Sequence, residues 1–279
     1  MTQLRYGMGW QREIPDIRDY TVQHDSIGGL LQKSTALKPQ KAAGAPAVDL
    51  SALCSPVENQ GQIGSCTAHA GVGLIEYYER RAFGKYLDAS RLFLYKATRN
   101  LLHWTGDTGA LLRTTMKAMV LFGVPPEEYY PYEIQKYDAE PNAFCYAYAQ
   151  NYQSIRYYRH DPPGAGGDKV LAQVKRFLAA GYPSMFGFTV YNFGNEKGEF
   201  AFPGPADKVL GGHAVVAVGY DDNHKVGKDK GALKVRNSWG AGWGEAGYGW
   251  LPYAYVEAGL AVDFWSLLKK EHIDSGNFN

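Results

Sequence analysis

Three cysteines in 279 residues are too few for a disulfide framework. One of them is assigned to chemistry below. At most one bridge, Cys54–Cys145, is then available; unbridged, both are free thiols suited to a reducing compartment. Charge of one sign is also scarce. Lys and Arg number 29 against 28 Asp and Glu, a formal net charge of +1, which provides no basic stripe for nucleic acid and no polybasic face for an anionic membrane. No apolar run is long enough to cross a bilayer. The first ten residues, M-T-Q-L-R-Y-G-M-G-W, lack the apolar centre of a signal peptide, so the cytoplasm or a non-classical export route is expected. Metal-ligand spacing is missing as well. Cys66 and His69 stand at i, i+3 and His213 could join them, but no second Cys-x-x-Cys or His-x-x-x-His pair follows, so no metal and no cofactor are expected. Aromatics make up 14%, with 21 tyrosines, and read as packing with wet hydroxyl edges.

What the chain does have is three short stretches that fit together chemically: N-Q-G-Q-I-G-S-C-T at 59–67, G-G-H-A-V-V-A-V-G-Y at 211–220 and R-N-S-W-G-A-G-W-G at 236–244. The residues after Cys66 carry Leu74, Tyr77, Tyr78 and Arg81 at helical spacing, which predicts a helix over 66–81 with Ser65 as its cap. A thiol on the first turn of a helix meets the positive end of the dipole, and a histidine alongside can take its proton; both lower the thiol's pKa. His213 opens an apolar strand and can be that base. It needs an acceptor on its other nitrogen, and the Asn237 side-chain oxygen can serve. An oxyanion needs donors, which the Gln60 amide and the Cys66 backbone N–H can supply. Singly, each residue is more often structural: a buried cysteine, a bonded histidine, a strand-end asparagine. Their conjunction points to a cysteine hydrolase.

The chain resembles the papain family of cysteine peptidases from Val48 to Trp265. The match is carried by P-V-x-N-Q-G at 56–61, G-S-C at 64–66, Y-P-Y at 130–132, G-H-A-V at 212–215 and N-S-W-G-x-G-W-G-E-x-G-Y at 237–248. His213 lies about 150 residues beyond Cys66, in the spacing such enzymes show. The resemblance implies Cys66 as nucleophile, His213 as acid–base, Asn237 as its orienter, Gln60 as oxyanion donor and Trp239 as a shield over the His213–Asn237 hydrogen bond. It also implies an α+β fold of two subdomains, one helical and one an antiparallel β-barrel, with the site in the cleft between. Departures are Ile63 where a disulfide cysteine is usual, Thr67 for the tryptophan after the nucleophile and Gly212 for an acidic residue before the histidine. They place the chain nearer bacterial relatives with short N-terminal extensions than plant or lysosomal enzymes.

Periodicity predicts helices near 90–103, 109–122 and 168–180, the second presenting Leu112, Met116 and Met119 on one face and closed by Pro125 and Pro126. From 184 onward five apolar segments read as strands. The segment 221–231, D-D-N-H-K-V-G-K-D-K-G, reads as a solvated loop, as does the glycine-rich 162–167. Residues 1–35 are weakly periodic, and 36–47 read as a linker, with the catalytic unit beginning at Val48. An N-terminal segment tethered in this way could be a short pro-segment packed near the cleft, making the chain a zymogen.

By the same resemblance, Gly109 and Ala110 match the stretch that pairs with substrate backbone, beside Gly212 and Trp239. Asp263 falls at the floor of the pocket for the second residue before the scissile bond. If it points inward it favours a basic or polar side chain there; otherwise it faces solvent. The expected substrate is a peptide or protein, cleaved through a Cys66 thioester. A specialised amide or isopeptide hydrolase, a transacylase and an inactive binding module on the same fold remain the alternatives.

Overall fold

The computed structural model of the chain describes residues 6–33, 44–154 and 156–268. The helices are α1 (Asp25–Lys33), α2 (Cys66–Phe83), α3 (Arg91–Leu102), α4 (Leu112–Leu121), α5 (Ala143–Ala149), α6 (Gly167–Ala179) and α7 (Tyr253–Glu257). The strands are β1 (Ala47–Asp49), β2 (Arg156–Arg159), β3 (Ser184–Val190), β4 (Gly211–Val226), β5 (Asp229–Arg236), β6 (Tyr248–Pro252) and β7 (Ala261–Leu268).

Helix α2 is central, because it is covered on nearly every side: all residues from Cys66 to Glu79 are buried. Gly71 lets two neighbours come close, since a Cβ there would stand 3.1 Å from Leu94 on α3 and 3.2 Å from Met119 on α4. Leu112, Met116 and Met119 are fully buried on one face of α4, as the spacing predicts. Each such side chain contributes about 2 kcal/mol by leaving water. Side-chain caps start two helices: Ser90 accepts from the Phe93 N–H on α3, and Asn142 accepts from the Cys145 N–H on α5.

The strands form one antiparallel sheet in the order β2-β7-β3-β4-β5-β6, with β1 added beside β4. Its register sets Phe188 opposite His213. The buried apolar residues fall into two clusters. One gathers α2, α3 and α4 and includes Cys66; the other lies between α6, α7 and the far face of the sheet and includes Trp239.

The structure departs from the sequence-based expectations in several elements. The segment 221–231 is mostly strand, not loop: β4 runs on to Val226, Gly227 turns with φ 60°, and β5 starts at Asp229. Its polar residues conceal the extension because both faces of a protruding ribbon are wet. Helices α1, α5 and α7 and strands β1 and β2 were not expected. The linker region is described only from Gly44, with Ala47 already pairing Asp221. Cys54 and Cys145 are buried free thiols.

Candidate active site

Cys66 is the first residue of α2 and is fully buried. Ser65 stands at the cap position, but its hydroxyl does not cap the helix. It lies 2.6 Å from the Tyr132 hydroxyl instead, and the Ser65 carbonyl accepts the first turn's N–H groups from Ala68 and His69. His69 points away from chemistry: its Nδ1 lies 3.1 Å from the Ser65 carbonyl and its ring meets Tyr132 edge-on. No group of three metal-ligating side chains occurs among the described residues.

His213 sits near the start of β4 and Asn237 just past the end of β5, so the pairing of these strands brings them together. His213 Nε2 and Asn237 Oδ1 are 2.7 Å apart, while His213 Nδ1 has no hydrogen-bond partner. With Nε2–H donating to the asparagine, Nδ1 is left as the basic nitrogen. The Ser238 N–H also donates to Asn237 Oδ1, at 2.8 Å, which fixes the amide. Trp239 stacks on the imidazole, with ring centroids 4.5 Å apart and planes at 20°. Phe188 closes the other side edge-on.

Gln60 is wired to the same strand end. Its N–H donates to the Ser238 carbonyl at 2.9 Å, and its Oε1 accepts from the Ser238 hydroxyl at 2.6 Å. Its amide nitrogen therefore faces away, donating to the Ile63 carbonyl at 2.9 Å and to the Met8 carbonyl at 3.2 Å.

Met8 belongs to the N-terminal segment for which the sequence suggested packing near the cleft; here it forms a strap. The N–H groups of Gly9 and Trp10 both donate to the Gly212 carbonyl, at 3.0 and 3.1 Å. The Gly9 carbonyl accepts from Ala110 N–H at 2.9 Å, and the Gln11 N–H donates to the Ala110 carbonyl at 3.2 Å. Trp239 Nε1 donates to the Gly7 carbonyl at 2.9 Å, and Tyr6 stacks on Trp239. The fit is tight enough to demand glycine on both sides: a Cβ on Gly109, where φ is 72°, would stand 2.0 Å from the Gly9 carbonyl oxygen. Thus Gly109, Ala110, Gly212 and Trp239 all touch the chain's own residues 7–11. The glycine–aromatic alternation Y-G-M-G-W was the one available signal.

Behind the strap lies an ionic clamp. Arg113 on α4 binds Asp19 through Nε at 2.6 Å and Nη2 at 2.7 Å, and it also reaches Glu13. Arg159 on β2 binds Asp19 at 2.8 Å and Asp161 at 3.0 Å. Asp263 is fully buried at the inner end of this cluster, which excludes the solvent-facing orientation. Its backbone has φ 65°, held by the Asp161 carboxylate, which accepts from the N–H groups of both Asp263 and Phe264. Asp263 accepts from Trp265 Nε1 at 2.7 Å and from Trp10 Nε1 at 3.3 Å, with Arg159 3.4 Å away.

Burial decides the charge states. It pushes the Cys66 thiol up to about 12, although backbone N–H groups of Ala214 and Trp10 pull the other way. It pushes His213 down to about 4 against the Asn237 hydrogen bond. The helix-start and histidine effects expected from sequence therefore do not prevail while the strap is in place: desolvation outweighs them, and both groups are neutral.

Comparison with known proteins settles the family. Residues 46–263 match the papain family cysteine protease profile. This chain belongs to the papain family. An uncharacterised peptidase C1-like protein of Acanthamoeba polyphaga mimivirus is 34% identical over 275 residues, covering 92% of this chain and 85% of the relative. Papain of Carica papaya is 29% identical over 197 residues, 70% of this chain and 50% of its own length, so the chain spans about half of that relative. The solved structure of xylellain, a cysteine protease from Xylella fastidiosa, superposes with TM-score 0.74 at 33% identity, covering 95% of this chain and 96% of xylellain. The fold is thus papain-like α+β, and the chain is a papain-family cysteine peptidase, a hydrolase. No helix among the described residues is long and apolar enough to cross a membrane.

Proposed function

We propose that this protein is a cysteine endopeptidase held shut by its own residues 6–11. The observation that carries the reading is the state of His213: Nε2 bonded to Asn237 at 2.7 Å, Nδ1 unpartnered, and the ring pinned under Trp239. A histidine fixed in one tautomer, with its basic nitrogen free in a dry site near a helix-start thiol, is poised to accept a proton.

In the open enzyme the Cys66 thiol gives its proton to His213 Nδ1, and the sulfur bonds to the scissile carbonyl carbon. The carbonyl electrons move onto oxygen, where the Gln60 amide and the Cys66 N–H donate to the oxyanion. Collapse expels the amine, which takes the proton from His213 and leaves a thioester on Cys66. Water then attacks, giving its proton to the same nitrogen, and the acid leaves as the thiol reforms.

The closed form is idle for two reasons. The Met8 carbonyl takes the Gln60 amide hydrogen that an oxyanion would use. Burial also keeps thiol and imidazole neutral, so no nucleophile forms. The strap holds the main-chain groups of Gly212 and Ala110 that a substrate strand would pair with. The isolated bridge between Trp10 and Ala110 is parallel. The test is hydrolysis of a denatured protein by the full chain and by Trp10→Ala, each with a Cys66→Ala control. The variant should cut faster than wild type and both controls should be inert. Activity that survives Cys66→Ala would refute the assignment.

A further inference from the structure

We infer that Tyr132 is a positioning residue of the oxyanion site. Its hydroxyl ties the Gln60 main chain to Ser65, and so fixes the spacing of the two groups that would receive the oxyanion, the Gln60 amide and the Cys66 N–H. This rests on the peptidase reading above and names a residue on which its rate depends.

The two donors come from separate places. Gln60 lies in the irregular stretch before α2, and Cys66 is the first residue of α2. A side-chain amide and a backbone N–H stabilise an oxyanion together only when both stand about 3 Å from one point, so their relative placement has to be held. Gln60 is tied at each polar atom other than its donor. Its N–H donates to the Ser238 carbonyl, its Oε1 accepts from the Ser238 hydroxyl at 2.6 Å, and its own carbonyl accepts from the Tyr132 hydroxyl at 3.0 Å. The Ser238 bonds hold Gln60 to the strand end that carries Asn237. Tyr132 holds it to the cysteine side, because the same hydroxyl oxygen is 2.6 Å from the Ser65 hydroxyl. The one tyrosine hydrogen goes to the Gln60 carbonyl, so Ser65 donates the second bond. Ser65 is fully buried and immediately precedes the nucleophile. Its carbonyl accepts from the N–H groups of Ala68 and His69 and from His69 Nδ1 at 3.1 Å, which fixes the turn that presents the Cys66 N–H.

The tyrosine itself is held still. Its N–H donates to the Glu127 carboxylate, and its ring meets His69 edge-on with centroids 5.0 Å apart. Two residues on, Ile134 sits against Gly61, where φ is 65° and a Cβ would stand 2.5 Å from Ile134 Cδ1. The loop therefore grips the Gln60–Gly61 turn at two points. Burial lifts the Tyr132 phenol well above its usual range, so the hydroxyl stays protonated at neutral pH and keeps donating. This gives the Y-P-Y stretch at 130–132 a task in the reaction.

The test is a double-mutant cycle on the full chain in the strap-opened Trp10→Ala background, with Tyr132→Phe, Gln60→Ala and the two combined. A blocked dipeptide coumarin amide reads turnover, whose acylation and deacylation both build an oxyanion. Iodoacetamide reads the Cys66 thiol by displacement of iodide at a saturated carbon, which builds none. Tyr132→Phe should lower kcat about tenfold, less than the roughly 100-fold or more that loss of a whole donor costs. KM should stay within about twofold and the alkylation rate should not change. Added to Gln60→Ala, Tyr132→Phe should cost little more, because Tyr132 acts through Gln60. Ser65→Ala keeps the Tyr132–Gln60 bond and removes the second one, so it should lower kcat by a smaller factor with alkylation again unchanged; it carries the test if Tyr132→Phe does not fold. An unchanged kcat, alkylation that falls in step with kcat, or losses that add in the double variant would overturn the inference and leave the peptidase reading standing. No hydrolysis by the Trp10→Ala chain itself, with no labelling of Cys66, would overturn both.

Discussion

Arg113→Ala should open the enzyme. Arg113 joins α4 to the strap through two hydrogen bonds to Asp19, an ion pair with Glu13 and a bond to the Ile14 carbonyl at 3.0 Å. Its side chain is 19% exposed and that of Asp19 4%, so the pair is largely withdrawn from solvent. Removing one partner of a buried pair costs about 3–5 kcal/mol, because the other charge is left unmatched. Asp19 keeps its bond to Arg159, so the loss here is at the lower end or below it, about 2 kcal/mol. That energy falls on the strap-closing equilibrium, since both acidic partners lie in the N-terminal segment that continues from residues 6–11. It should raise the open fraction about 30-fold. The assay is the second-order rate of Cys66 alkylation by an epoxysuccinyl inhibitor, which reads the open fraction while opening stays rare. The variant should react about 30-fold faster than wild type, with Arg113→Lys in between because it keeps charge but loses the fork. An unchanged or slower rate, in a variant that retains its folded circular dichroism, would refute the clamp.

Three further outcomes are expected. Gly9→Ala should also speed alkylation, because a Cβ there would stand 2.2 Å from the Gly64 carbonyl oxygen; an unaltered rate would contradict the tight seat of the strap. Asn237→Ala in a strap-opened background should lower kcat/KM by roughly 100-fold through loss of the His213 tautomer, with KM little changed; an effect confined to KM would contradict the orienting role. The alkylation rate should also rise as pH climbs through about 7. Asp263 is held at about 7 by burial in the closed form, so its contribution to closure is complete at low pH and is lost as pH rises through that value. Asp19 works in the other sense: its pKa is lowered by Arg113 and Arg159 against burial, so it destabilises closure only at pH below the ordinary carboxylate range. Asp263→Asn should flatten the rise near 7, and a rise unaffected by that change would contradict the assignment.

The motifs around Gln60, Cys66, His213 and Asn237 were legible because each demands rare residue types at a helix start or strand end, where sequence signals are strongest. The helices α3, α4 and α6 were legible from their spacing; α4 and α6 each bury one stripe, whereas α3 is buried all round from Arg91 to Arg99. The strap was not. Its hold on the cleft is made by backbone atoms of Gly7, Met8, Gly9 and Trp10, which leave no periodic pattern, and by pairs such as Arg113–Asp19 that are remote in sequence. Asp263 was placed at a pocket floor, but its partner was invisible. Arg159 lies on β2, a short strand whose residues alternate in no readable way, and only the pairing of β2 with β7 brings the two charges together. The lowered thiol pKa expected from the helix start is outweighed for a tertiary reason: Cys66 is fully buried in the closed form.

The central claim is that Cys66 is the nucleophile of an enzyme closed by its own N-terminal strap. The most direct measurement is the intact mass of the full chain over time with an epoxysuccinyl inhibitor, beside Cys66→Ala and Arg113→Ala, with the labelled residue mapped by peptide mass. The account predicts a single adduct on Cys66, slow in wild type, fast in Arg113→Ala and absent in Cys66→Ala. An adduct on Cys54 or Cys145, or none in any folded form, would contradict it.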